Sequence, residues 1–386
     1  MNGHFDRSGL AYEYDAISLE KETTQYVFSE NFLSPTAEQI KSHEHMIRVQ
    51  DFFESGKGIV LIPMREKGPK ARSVLKALTQ LVPAEYLLVS DGGSDEIARQ
   101  TVQSFGVRLP CAEEVLQAIN WDPLLALLNM DRFPRATDGK GMNVLAGYLL
   151  IYGLVKYGGI KPEWIFQHDA EIAHCEVYRG LEHLIWGIHQ REDAQYVKIA
   201  KSGRGNQECM SARNVLICLS KSESVQLEAR KRALYYYRSI GGDKWMLTGE
   251  FGFQYEVAMN RLFASGYLEE TLAALYAPRA IQVENLNPRD DEVNTPQKES
   301  VMQNQVGQCI IQLALDAPLV KDWTLRDIQS VNNKIMADPV KGGWIPDRGP
   351  VRFEEVRNNR FLPSIRMLER EGLIEEDYLK QLVLGL

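Results

Sequence analysis

Apolar residues in this chain gather in short unbroken runs separated by stretches with helical spacing. Ile59–Ile62, Tyr86–Val89 and Trp164–Phe166 are apolar at successive positions. Such runs predict strands buried on both faces, as in a parallel sheet. Pro63 lacks an N–H and is expected to stop the first ladder. The first two runs lead into polar loops, Met64 to Gly68 and Ser90 to Asp95, and then into helical spacing, with Pro69 suited to a first helical position. Successive strand–loop–helix units predict a parallel sheet with right-handed crossovers. Ligands of such sheets bind beyond the carboxyl ends of the strands. Further strands are read at Val197–Ala200 and Ala280–Val283.

The first 56 residues carry no strand signal. Apolar Ile40, Met46, Ile47, Val49, Phe52 and Phe53 follow a Ser-Pro-Thr opening and predict one capped helix ending at Gly56. His43 and His45 flank Glu44 and point apart on that helix, so they are read as solvated. Pro110 to Arg135 reads as a helical insertion, the stretch after Glu171 as a helix, and 296–386 as a helical appendage. The expected organisation is an arm over 1–56, an α/β domain over 57–295 and the appendage, which either supports a homodimer or closes over the site.

Composition narrows the class. The 386 residues are 44% hydrophobic, enough for a globular core, and the net charge of −8 offers no general attraction for nucleic acid. Five cysteines, Cys111, Cys175, Cys209, Cys218 and Cys309, include no C-x-x-C pair, which suggests neither a disulfide framework nor zinc and suits a reducing cytoplasm. The longest apolar stretch, AGYLLIYGLV, is too short to span a bilayer, so no integral membrane segment is expected.

Candidate chemistry clusters at loops. The run Trp164–Phe166 ends in Asp169-Ala170-Glu171, where two carboxylates two residues apart share a face of an extended chain. That arrangement suits a hard divalent cation, Mg2+ or Mn2+, although a solvated strand end is the plainer reading. Asp138-Gly139-Lys140-Gly141 opens an apolar helix and can present an ammonium and backbone N–H groups to an anion. The helix leads directly to the Asp169 strand, which places Lys140 and Asp169 near one sheet edge. Lys201, Arg204, Gly205, Asn206 and Gln207 form a basic, glycine-broken loop able to bind a phosphate or carboxylate.

In order, VLIPMREKG, YLLVSDGGSDE, DGKGMN and FQHDAEI resemble the nucleotide-binding half of GT-A glycosyltransferases, a Rossmann-like, mostly parallel sheet flanked by helices. The chain is most similar to retaining enzymes that make glucosyl-3-phosphoglycerate, mannosyl-3-phosphoglycerate or mannosylglycerate, over roughly Gly58 to Asn287. The resemblance implies a donor nucleotide site at Pro63, Met64, Arg65, Glu66, Asp91, Gly92, Lys140 and Asp169. It matches the D-x-D metal element to Asp169 and Glu171, with glutamate in the last place. It also implies an acceptor site at Lys201, Arg204, Gly205, Asn206 and Gln207. Gly249 and Glu250 match a loop that borders the donor sugar and acceptor. Relatives add a metal-ligating histidine near the last strand; no histidine follows His189 here, leaving Asn285, Asn287 or Asp290 as substitutes.

The function implied is metal-dependent transfer of a hexose from UDP-glucose or GDP-mannose to 3-phosphoglycerate or glycerate. Three other readings remain at this point. They are an inverting polysaccharide or lipid-carrier transferase with Glu250 as base, a nucleotidyltransferase, and an inactive sugar-nucleotide-binding module.

Overall fold

The computed structural model describes residues 32–65, 70–128, 130, 132–136, 139–170, 180–201, 219, 226–239, 249–266, 268–276, 280–285, 323–337 and 360–385. Seven strands form one mixed sheet: β1 (Phe32–Leu33), β2 (Gly58–Met64), β3 (Leu87–Asp91), β4 (Trp164–Gln167), β5 (Tyr196–Lys201), β6 (Phe251–Gln254) and β8 (Ala280–Asn285). Their order is β1-β8-β5-β6-β4-β2-β3. Among the described residues only β6 runs against its neighbours, β4 and β5; the other pairs are parallel. A two-stranded ribbon joins β7 (Phe263–Ala264) to β9 (Phe361–Leu362).

Three expectations for the N-terminal segment change. The N-terminal segment contains β1, which pairs with β8, although nothing in its two residues distinguishes a strand. The single helix expected there is two, α1 (Ala37–Lys41) and α2 (His43–Glu54), split where Ser42 caps the second by accepting from His45 N–H. His45 is buried, with Nε2 2.9 Å from the Glu182 carbonyl oxygen, and is not solvated.

Pro63 does not end its strand, since β2 continues through Pro63 and Met64 opposite Ser90 and Asp91. The Leu61 carbonyl accepts from His168 N–H on the β4 side, whereas the Met64 carbonyl accepts from Gly92 N–H on the β3 side. Alternation therefore aims the missing Pro63 N–H toward β4, past the last β2–β4 pair at Leu61 and Gln167, where no ladder needs it.

Two cores sandwich the sheet. One holds Val60, Ile62, Val89, Phe166, Val197 and Val283 against α2, whose Phe52 and Phe53 meet the Phe166 ring edge-on with centroids 5.9 and 5.8 Å away. The opposite core surrounds α7 (Lys140–Tyr157), which among the described residues follows α3 (Lys70–Leu78), α4 (Glu96–Ser104), α5 (Ala112–Leu116) and α6 (Trp121–Leu127). Helix α7 is buried from Gly141 to Leu154 because it lies between two layers. Gly147 rests on Leu61 of the sheet, and Gly153 rests on Leu379 and Val383 near the C-terminus. That third layer explains an apolar stretch with no polar face. Among the described residues no helix is long and apolar enough to cross a membrane.

The entry to α7 depends on missing side chains. A Cβ at Gly141 would lie 1.6 Å from the Ala264 carbonyl oxygen, and one at Gly139, where φ is +142°, would lie 2.8 Å from Gly266 Cα. Both contacts are with backbone, which cannot swing aside. Gly141→Ala is therefore expected to destabilise the fold by about 2–4 kcal/mol, read as a lower denaturation midpoint. An unchanged midpoint would refute this close approach.

Candidate active site

The parallel strands β2, β3, β4, β5 and β8 all end on one edge of the sheet, and β6, running the other way, begins there. That edge therefore gathers Met64, Asp91, Asp169 and Lys201 from strand exits and Gly249-Glu250 from the entry to β6. Extending the β4–β6 register by one and two residues sets His168 opposite Glu250 and Asp169 opposite Gly249. The structure bears out the geometry at both positions. His168 Nε2 lies 3.4 Å from Glu250 Oε1, with both side chains buried. A Cβ at Gly249 would sit 2.1 Å from both Asp169 carboxylate oxygens, so Asp169 lies directly over the glycine.

Asp169 stands just past the end of β4 with its side chain 30% exposed, and its Oδ1 accepts from Lys140 Nζ. The same ammonium donates to Glu270 Oε1 at 2.7 Å. Burial by itself would lower the Lys140 pKa, but the Asp169 charge and then the Glu270 charge outweigh it and hold it well above the ordinary value. One cation thus rests between two carboxylates.

Residues expected to meet the donor nucleotide sit where β2 and β3 end. Pro63 and Met64 close β2; the Met64 side chain is buried, while Arg65 is exposed. Asn143, one turn into α7, donates from Nδ2 to the Met64 carbonyl at 3.0 Å and accepts from Ser90 Oγ, tying the ends of β2 and β3 together. Asp91 Oδ1 accepts from Gly93 and Ser94 N–H at 3.0 and 2.7 Å, and its Oδ2 from Arg99 Nε at 2.8 Å. That carboxylate shapes the SDGGSD turn. Gly92 is required beside it, since a Cβ would lie 2.7 Å from Asn143 Nδ2.

Glu66, Glu171, Arg204, Gly205, Asn206, Gln207, Asn287 and Asp290 lie outside the described residues. Lys201 is the last residue of β5 and Asn285 the last of β8, on the same edge as Asp169. Sequence reading did not single out Asn143, His168 or Glu270. The signal for Asn143 was a lone polar residue in an apolar helix; Glu270 carried none, being 130 residues from Lys140.

A mixed seven-stranded sheet between helical layers, with one reversed strand bringing a Gly-Glu turn to the edge that carries Asp169, is the GT-A fold. No protein-family model matches the chain, and no curated protein sequence matches it significantly. Among solved structures it is similar to glucosyl-3-phosphoglycerate synthase from Mycobacterium tuberculosis. The complex of that enzyme with Mn2+, UDP-glucose and phosphoglyceric acid aligns at a TM-score of 0.52 and 17% identity, over 84% of this chain and 95% of the other. Its complex with Mn2+, UDP and glucosyl-3-phosphoglycerate gives 0.52 and 18%, over 74% and 88%. The likeness is one of fold.

Proposed function

We propose that this protein is a metal-dependent glycosyltransferase that moves glucose or mannose from a nucleoside diphosphate sugar to a small anionic acceptor such as 3-phosphoglycerate or glycerate, with retention. One observation carries the reading: Asp169, seated on Gly249 and paired with Lys140, lies at the sheet edge where β2 and β3 also end. Similarity of fold to an enzyme solved with Mn2+, UDP-glucose and phosphoglyceric acid supports the substrate classes.

The residues fit Mg2+ or Mn2+. The donors are hard oxygens, and the pairing of Asp169 and Glu270 with the Lys140 ammonium supports a local field that favours a cation. Asp169 would hold the ion, with Glu171 as the second proposed ligand. When bound, the ion supplies Lewis-acid neutralisation of the departing diphosphate.

The rest falls to the chain itself. Lys140 contributes a second positive charge toward the diphosphate, fixed in advance and so effective as charge develops. Asn143 fixes the two strand ends that would meet the nucleotide through Pro63, Met64, Arg65, Glu66, Asp91 and Gly92. Gly249 leaves room for Asp169. Glu250, fully buried against His168, stiffens the turn beside the sugar. Its burial supports retention over an inverting mechanism, which needs a carboxylate within reach of the acceptor hydroxyl.

The acceptor is assigned to Lys201, Arg204, Gly205, Asn206 and Gln207. The deciding experiment is a matrix of UDP-glucose and GDP-mannose against glycerate, 3-phosphoglycerate and a neutral sugar, with and without Mn2+. Arg204→Ala is expected to raise the KM for the anionic acceptors about ten- to hundredfold, the loss of a charge-assisted hydrogen bond. Arg204→Lys should recover part of it, since charge returns without the fork. Equal loss on all three acceptors, or on none, would overturn the anionic-acceptor assignment.

A further inference from the structure

We propose that Glu270 is a positioning residue for the donor, holding the Lys140 ammonium in place so that it stays at the diphosphate when a divalent cation takes Asp169. The inference rests on the reading of Lys140 and Asp169 given above and adds a residue to it. Lys140 bridges the two carboxylates, with side chains 26% exposed for Lys140, 30% for Asp169 and 22% for Glu270. An arriving divalent cation competes with the ammonium for Asp169. A lysine held by Asp169 alone would then be displaced toward solvent on its flexible stem, and ordering it again would cost part of the donor's binding energy. Glu270 offers a second anchor the cation does not need.

The surroundings of Glu270 are built to hold it still. It lies in the first turn of α11 (Leu268–Tyr276), the helix that follows α8 (Gly180–Gln190), α9 (Leu227–Ser239) and α10 (Tyr255–Asn260). The preceding residue, Glu269, is fully buried; it pairs with Arg261, and its Oε2 accepts from Ala264 N–H at 2.9 Å. The Arg261 guanidinium is enclosed by the rings of Phe263, Tyr148 and Phe253, with centroids 4.3, 4.5 and 5.4 Å from Cζ. Burial opposes the charge on Arg261, but Glu269 more than restores it and keeps its pKa above the ordinary value. A charge pair in such a place is costly to break, so the first turn of α11 has little freedom. The same corner, Ala264 to Gly266, is the surface on which Gly139 and Gly141 pack. Lys140 is thus gripped from both sides by one rigid corner, through the backbone of its neighbours and through Glu270.

The test is a double-mutant cycle. Binding of UDP and GDP in saturating Mn2+ is measured by titration calorimetry for the wild type, Glu270→Gln, Lys140→Ala and the double variant, with thermal melts for each. Glu270→Gln is expected to weaken the preferred nucleotide about tenfold, as for loss of a bond to a charged group, and to cost nothing further once Lys140 is alanine. Glu270→Asp should recover part of the affinity. In the transfer assay Glu270→Gln should raise the donor KM with kcat little changed. An undiminished affinity in Glu270→Gln, or the same loss with and without Lys140, overturns this proposal alone. A wild type that binds neither nucleotide overturns the donor reading itself, and this one with it.

Discussion

Asp169→Asn is expected to lower kcat/KM for divalent-dependent transfer by at least about a thousandfold, some 4 kcal/mol of transition-state stabilisation. The change removes one negative charge from the proposed hard-ion site and replaces its proposed anionic ligand with a neutral amide. The fold should survive, since the side chain lies beyond the end of β4, partly exposed and outside both cores. Lys140 retains Glu270 as its partner, so no ammonium is stranded. A melting temperature near that of wild type, with loss of Mn2+-dependent nucleotide binding by calorimetry, is the expected pair of results. Unchanged turnover would remove Asp169 from the site.

Gly249→Ala should be nearly as damaging for a residue that carries no functional group. The new Cβ would fall 2.1 Å from both Asp169 carboxylate oxygens, about half an ordinary contact distance, and the aspartate has to leave its position. A displacement of about 1 Å at a reacting centre costs on the order of a hundredfold in rate, so a loss of about 10²–10³ in kcat/KM is expected. The cause is testable by coupling. In an Asp169→Ala background the methyl group has nothing to displace, and Gly249→Ala should then have little further effect. Additive losses in the double variant would mean that the glycine serves the turn and not Asp169.

The sequence by itself determined the parallel half of the sheet, because Ile59–Ile62, Leu87–Val89 and Trp164–Phe166 are buried on both faces and leave runs of apolar residues that no amphipathic helix would show; Tyr86, read with the second run, is half-buried and lies in a turn just before β3. It also determined the edge on which the candidate site residues gather. Parallel strands end together, so the loops after them converge whatever the details, and the nearness of Lys140 to Asp169 followed from a helix that feeds directly into β4. Strand β6 was hidden because Phe251-Gly252-Phe253-Gln254 follows a Gly-Glu turn and reads equally well as loop. Its two phenylalanines enter one core while Gly252 lets Phe166 and Val197 fill the other. Only the tertiary structure decided that this strand runs backwards between β4 and β5, and that choice is what sets Gly249 against Asp169 and Glu250 against His168. Likewise, Arg261 and Glu269 look like surface charges in a sequence, since burying either alone is prohibitive. They become core residues only when folding brings each to the other and to three aromatic rings. Glu270 follows for the same reason: a contact across 130 residues leaves no local pattern, because its energy exists only after the chain has closed on itself.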